Sequence, residues 1–324
     1  MDRGDLVIKS IALNKELEAI LAPYSNNTEF ISHIRAPLAV EGRVLGTSSD
    51  NNHWPLLPLY VAQSINGEWT HALPFAAAMQ FMLTAADIFD DLEDDDNILT
   101  GFTGLSKPVR MNIGSTLILL AYAAFARMNN LVSYQIFHSA LETLTGYFIQ
   151  SSSGQHEDLS GSLSSCFDET AYIAHIQKTS ASQIQCACHI GAILSTDDPG
   201  VIASFADFGK YVGTALQLCN DIRDITTGKD ICGKKVTLPV IFARNGSLHD
   251  QSNYIDYIYD ARTPVTDDPE PVKRVLFQSG GVHYTLLQAQ KFIHLAVDQL
   301  ESLRPSKVNI SLLSPFLNMA GFNE

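Results

Sequence analysis

Positive charge is scarce in this 324-residue chain, with 21 lysines and arginines against 35 aspartates and glutamates and a formal net charge of −14. No basic stripe runs along it, which excludes nucleic acid as a partner, because phosphate backbones recruit lysine and arginine. The same balance excludes docking on an anionic membrane surface. Cysteine is sparse too: the five, at positions 166, 186, 188, 219 and 232, show no C-x-x-C pairing. A disulfide framework and a zinc site are therefore not expected, and Cys186 and Cys188 read as small core residues. Unbroken apolar runs such as 116–126 fall short of the ~18 residues that span a bilayer, so no membrane span is expected. The opening MDRGDLVIKSIALNKELEAIL has charges every few residues and no signal-peptide core. A cytoplasmic location is the expectation. Alternating β-branched runs, internal repeats and linker-like Pro/Ser/Gly tracts are also missing.

What remains is hydrophobic spacing at three and four residues over most of the chain, with 46% hydrophobic residues. The expectation is one all-α domain over 1–324. Its helices are placed at about 6–22, 54–66, 71–95, 108–129, 132–153, 168–195, 200–226, 235–244, 268–278, 282–303 and 309–320. Thr70 and Asp168 are candidate N-caps, and Gly280-Gly281 is a break. The polar stretches 41–53 and 151–166 read as loops. Helices without a polar face, notably 71–90, 112–126 and 201–219, belong in the middle of a multi-helix bundle.

Two acidic clusters end such apolar stretches. The first is Asp90-Asp91-Leu92-Glu93-Asp94 after FMLTAADIF; the second is Asn220-Asp221-Ile222-Arg223-Asp224 after YVGTALQLC. At 3.6 residues per turn, Asp90 and Asp94 share a helix face with Asp91 beside them. Asn220, Asp221 and Asp224 repeat the pattern, with Gln217 one turn earlier. An unpaired carboxylate costs several kcal/mol to bury, so acids in apolar helices imply cations. Two such faces opposed across a bundle would hold Mg²⁺, which takes oxygen ligands and bridges carboxylates to substrate phosphates.

With these motifs the chain resembles the trans-isoprenyl diphosphate synthases and the class I terpene enzymes of the same all-α fold. HALPFAAAMQFMLTAADIFDDLEDD is similar to the helix ending in their first aspartate-rich motif, and LQLCNDIRDI to the helix carrying the second. HIQKTSASQIQCACHIGAIL is similar to their Lys-Thr helix. GKDICGKKVTLPVIFA is similar to their Gly-Lys-Asp loop and Lys-x-Thr-Leu-Pro helix, and SGQHEDL to a further Gly-Gln segment. The resemblance covers roughly 50–320 and keeps the motif order. It implies a multi-helix bundle with a central active-site cavity, a homodimer, and a small group of Mg²⁺ ions, about three. It also implies a single substrate class, the allylic prenyl diphosphates, farnesyl or geranylgeranyl. Asp90, Asp91, Asp94, Asn220, Asp221 and Asp224 would bind metal. Lys178, Lys229 and Lys235 would contact the diphosphate, and Lys178, Thr179 and Gln217 would line the reacting end. Ala85 and Ala86 stand where the family places bulky residues that limit chain length, which would leave the pocket open for a long tail; the other reading, of equal weight, is that small residues there let two helices approach closely.

The chain departs from the family where elongating members hold isopentenyl diphosphate. Asn51 and Trp54 occupy their Lys and Arg positions, and Leu99-Thr100 replaces their Arg pair. A phosphate pocket losing several cations loses ~1.5–3 kcal/mol with each charge-assisted hydrogen bond. The reading that follows is an enzyme that ionises one allylic diphosphate, with a terpene synthase leading. Two alternatives stand beside it. One is prenylation of a different acceptor, as in the ComQ-type peptide prenyltransferases, which DIFDDLEDDDN and GQHED also resemble; the other is a divergent prenyl diphosphate synthase with a relocated basic site.

Overall fold

Helices account for the regular structure of the described residues, without a strand among them. The computed structural model describes residues 3–39, 54–93, 104–161, 167–246, 249–260, 262–266 and 268–319. Fifteen α-helices are described: α1 (Arg3–Leu21), α2 (Thr28–Leu38), α3 (Leu57–Asn66), α4 (Leu73–Glu93), α5 (Lys107–Ala126), α6 (Tyr134–Leu159), α7 (Glu169–Lys178) and α8 (Ser180–Ile193), followed by α9 (Pro199–Thr227), α10 (Lys229–Cys232), α11 (Leu238–Gly246), α12 (His249–Tyr259), α13 (Glu270–Gln278), α14 (Gly281–Ser302) and α15 (Ser314–Met319). The all-α expectation holds.

The chain divides into two compact units, with boundaries inside α6, α8, α9 and α15 and at the end of α14. The first comprises 1–144, 187–205 and 303–316. Its centre is α4, whose face from Pro74 through Ile88 is almost wholly buried, packed along α5. Phe75 meets Phe125 edge-on, with ring centroids 6.4 Å apart. Gly114 lets α5 approach closely, since a Cβ there would lie 2.9 Å from the Phe89 ring. At the far end of the sequence, Phe316 packs on Trp54 and Tyr60 with centroids 5.5 and 5.6 Å apart. Lys9 of α1 is fully buried: its ammonium bonds Asp5 and lies 4.4 Å from the Tyr60 ring centre and 5.0 Å from that of Trp69. Aromatic faces and a carboxylate together compensate that charge; burial still pulls its pKa below the usual lysine value.

The second unit comprises 145–186, 206–302 and 317–324. One of its cores joins Ile225, Ile231, Val240, Ile255, Val272 and Leu276; another joins Ile176, Ala215, Leu218, Leu238, Ala289 and Phe292. Gly281 starts α14 against α11, where a Cβ would meet the Pro239 carbonyl oxygen at 2.4 Å.

By length and composition the stretches Thr70–Glu93 and Lys107–Asn130 would each suffice to cross a bilayer, which counting unbroken apolar runs understates. For the first, 72% of the apolar window is inside the protein, so α4 is a core helix; for the second the share is 44%. The exposed part of α5 includes Val109, Met111, Leu119 and Tyr122.

Several boundaries differ from the sequence reading. Thr70 begins a 3₁₀ turn, Thr70–Ala72, and so does not cap α4. Residues 151–159, read as loop, continue α6. The segment 168–195 is two helices broken at Thr179, whose backbone (φ −93°, ψ −96°) leaves the helical region. Helices α2 and α12 were not anticipated. Asp168 does cap α7, accepting from the Ala171 amide at 2.7 Å, and Gly280 (φ +83°) separates α13 from α14. The expected loop 41–53 lies outside the described residues.

Candidate active site

In the second unit the site is built by α7, α9 and the loop that follows α9. Gln217, Asp221 and Asp224 recur at four and three residues and share one face of α9. One turn before Gln217, Gly213 admits the backbone of α8: a Cβ there would lie 2.7 Å from Ala181 Cα and 2.9 Å from its carbonyl oxygen. Asp221 is 2% exposed. It accepts from Gln217 Nε2 at 3.0 Å, and Tyr172 of α7 donates its hydroxyl to the other carboxylate oxygen in a short hydrogen bond. Burial pushes the Asp221 carboxyl up to about 7, with Asp230 and Asp224 adding repulsion and the Tyr172 and Gln217 hydrogen bonds opposing it. Tyr172 keeps its proton, because burial first and the neighbouring Asp221 charge second raise its pKa well above the phenol range.

Helix α9 ends where Gly228 takes φ +89° and its amide bonds the Asp224 carbonyl at 3.0 Å, a left-handed closure suited to glycine. The next residues are Lys229 and the buried Asp230. Burial pushes Asp230 up to about 6 and Asp224 adds to it, while Lys235, Lys229 and Arg223 draw it down. Lys234, at φ +51°, sends its ammonium to the carbonyls of Asp260, at 2.9 Å, and Thr263. This anchor fixes the loop between Lys229 and Lys235, both of which are exposed.

The third expected lysine, Lys178, ends α7. It donates to Glu157 of α6 at 2.5 Å. Thr179 follows at the helix break, its hydroxyl bonding the His175 carbonyl at 3.0 Å. Gly154 of α6 faces it so closely that a Cβ would lie 2.3 Å from Thr179 Cγ2. Asn220 is half-buried on α9.

In the first unit, Asp90 is exposed and Asp91 half-buried in the last turn of α4; Ala85 is buried and Ala86 half-buried on the same helix. Asp94, Leu99, Thr100 and Asn51 lie outside the described residues. Trp54, expected at a cation position of elongating enzymes, is packed on Phe316.

Taken unit by unit, each acidic pair offers oxygen donors of the kind a hard cation takes. Asp90 and Asp91 close α4, and Asp221 and Asp224 lie in the last two turns of α9, where the helix dipole already concentrates negative charge. Asp221 there, and Asp230 just beyond the helix, are disfavoured as carboxylates by burial first and by neighbouring acids second. Among the described residues no three His, Cys, Asp or Glu side chains converge as a self-contained metal cage.

Sequence reasoning missed Tyr172, Asp230, Glu157 and Asp158 as participants, and it gave His175, noted near Lys178, no role. Asp230 stood inside the quoted Gly-Lys-Asp segment, and its burial was the missing signal. Tyr172 and His175 occur three apart on α7 in the same stretch as Lys178, but their partners lie on other helices.

A family model described as polyprenyl synthetase matches residues 52–276. The chain is 26% identical over 281 residues to the mouse (Mus musculus) all trans-polyprenyl-diphosphate synthase PDSS1, covering 80% of this chain and 65% of that protein. It thus spans under two thirds of that relative's length. It is 27% identical over 259 residues to the tryptophan prenyltransferase ComQ of Bacillus spizizenii, covering 78% of this chain and 87% of that one. In fold it is similar to the polyprenyl synthase of Caulobacter crescentus CB15 in complex with calcium and isoprenyl diphosphate, with a TM-score of 0.74, 19% identity, and coverage of 94% and 96% of the two chains.

Proposed function

The chain belongs to the polyprenyl synthetase family, and on that premise we propose that it ionises an allylic prenyl diphosphate, farnesyl or geranylgeranyl, and passes the carbocation to an acceptor other than isopentenyl diphosphate. The single observation that carries the second half is Trp54. A residue packed at a tilt on Phe316 stands where elongating relatives would need a cation, and an indole cannot supply the charge-assisted bonds a second diphosphate requires. The similarity to a tryptophan prenyltransferase over 87% of its length supports the same reading.

Asp90, Asp91 and Asp94, and in the second unit Asn220, Asp221 and Asp224, are the proposed Mg²⁺ ligands. Bound there, Mg²⁺ would neutralise charge on the departing pyrophosphate. With few protein oxygens converging, water and substrate phosphate would complete its coordination, as is usual for this ion. The chain's own groups do the rest. Lys178, Lys229 and Lys235 bind the diphosphate and stabilise it as it leaves. Tyr172 and Gln217 fix the Asp221 carboxylate through both oxygens, so it need not reorganise when charge develops. Thr179, at a break in the helix and with its hydroxyl on the His175 carbonyl, is the residue proposed beside Lys178 at the reacting end. Ala85 and Ala86 leave room for a long prenyl tail.

Intramolecular capture, giving a terpene, uses the same ionisation and the same residues; the small side chains of Ala85 and Ala86 favour it by accommodating a folded chain. The α5 residues Met111, Leu119 and Tyr122 are the surface proposed to pair with a second copy.

The test is incubation with Mg²⁺ and geranyl, farnesyl or geranylgeranyl diphosphate, with and without isopentenyl diphosphate, analysing hydrocarbons and phosphatase-treated alcohols. Turnover without isopentenyl diphosphate is expected. Longer prenyl alcohols formed only in its presence would show chain elongation and overturn the acceptor reading.

A further inference from the structure

The lysine proposed for the diphosphate already has an anion on it. Lys178 Nζ donates to Glu157 Oε1 at 2.5 Å, and the other oxygen of that carboxylate lies 3.7 Å from Nδ1 of His175. His175 in turn donates Nε2–H to Asp158 Oδ2 at 2.8 Å. His175 is only 9% exposed, its Nδ1 is buried and its Nε2 is taken by Asp158, so neither nitrogen can accept a proton from a substrate. The ring is therefore a brace and not a general base. It ties Asp158 of α6 to α7, while Lys178 holds the neighbouring Glu157, and Gly154 sets the two helices in close approach at Thr179.

The pair at the open end differs from this brace. Lys178 is 28% and Glu157 40% exposed by side chain, so the ion pair can separate into solvent without stranding a buried charge. An exposed pair of this kind is held weakly. A diphosphate, with several negative oxygens, displaces a single carboxylate from an ammonium group. Glu157 stays ionised at neutral pH because its hydrogen bond to Lys178 holds its carboxyl below the usual range.

We propose that Glu157 is an internal counter-ion that occupies Lys178 between turnovers and yields it to the substrate diphosphate, so that it sets the strength of diphosphate binding while touching no reacting atom. It is a positioning residue, and the inference rests on the assignment of Lys178 to the diphosphate made above. Between turnovers the pair keeps the lysine aimed and charged. During release, Glu157 recaptures it as pyrophosphate departs.

The test is calorimetric titration of inorganic pyrophosphate in the presence of Mg²⁺, with Mg²⁺ alone as the blank. Relative to wild type, Glu157→Gln is expected to bind pyrophosphate roughly two- to five-fold more tightly, the range that losing a weak competing ion pair allows. The gain should vanish in the Lys178→Gln background. Glu157→Asp keeps the charge but retracts it, and should give a smaller gain; it also serves if Glu157→Gln does not fold. Equal or weaker binding by the variants, or a gain that persists without Lys178, would overturn the inference. A purely structural Glu157 predicts weaker binding, the opposite sign. Wild-type protein that fails to bind pyrophosphate would overturn the reading beneath it, and this inference with it, whereas a failure confined to the Glu157 variants would leave that reading standing.

Discussion

At the scale of single residues, Asp221 carries the most consequence. Its carboxyl titrates at about 7 in the folded protein, against 3.8 ordinarily, and Asp230 at about 6. The folded state therefore holds protons that the unfolded chain has released, and these groups favour folding most at low pH. Their contribution is lost as pH rises from about 4 to about 7 and is flat above that. Thermal unfolding of metal-free protein should show Tm falling between pH 5 and pH 8, with Mg²⁺ raising it at pH 8. Asp221→Asn, which removes the charge and requires one of the two donors, the Tyr172 hydroxyl or the Gln217 amide, to turn and accept instead, should flatten the pH dependence and lose the response to Mg²⁺. A Tm that rises over that range would count against the burial argument. Tyr172→Phe should lower stability by about 1–3 kcal/mol through the unsatisfied carboxylate oxygen, measured by denaturant titration. The acids themselves were legible in the sequence, because apolar flanks made them anomalous. Tyr172 was not, since its significance is a contact to a residue 49 positions away.

At the scale of elements, the long apolar helices could be read from spacing, and those that deviate have local causes. Helix α2 has eleven residues with Pro37 near its end, so pattern alone gives it little weight; burial of Ile31, Ile34 and Leu38 and the Asn27 cap sustain it. Helix α12 is largely polar and persists through Ile255 and Tyr259 in the second unit's core. The end of α6, full of serine and charge, stays helical where Gly154, Glu157 and Asp158 meet α7. Close approaches of this kind cannot be seen before the helices are placed. They do give predictions. Gly213→Ala sets a methyl against the Ala181 backbone, which cannot rotate away, and should cost about 1–3 kcal/mol by denaturant titration. Gly228→Ala combines φ +89° with a 2.7 Å approach to Pro269 Cγ, so it should misplace Lys229 and weaken pyrophosphate binding more than it lowers Tm. Equal losses in both would mean the loop serves stability alone.

For the whole molecule, a chain of net charge −14 would need local positive charge for the anionic substrate proposed for it, and cations held by its acids would provide it. The scarcity of lysine and arginine argued against nucleic acid, while the acids inside apolar helices pointed towards metal. What composition left open was where the few lysines would stand. Lys178, Lys229 and Lys235 took meaning only from motif order, and the second unit brings Lys229 and Lys235 to the buried Asp230. Leu119, 70% exposed on α5, belongs to the surface proposed for a second copy. Leu119→Glu should convert a dimer to a monomer in sedimentation velocity while leaving the helical spectrum intact; an unchanged mass would place any interface elsewhere.

Metal-dependent ionisation of an allylic diphosphate would appear as release of pyrophosphate from farnesyl and geranylgeranyl diphosphate, followed with and without Mg²⁺ and in the absence of isopentenyl diphosphate. The account predicts release with Mg²⁺ that disappears on chelation and falls at least a hundredfold, on the order of 3 kcal/mol, in Asp90→Ala and Asp221→Asn. Release that survives chelation, or that neither substitution diminishes, would contradict it.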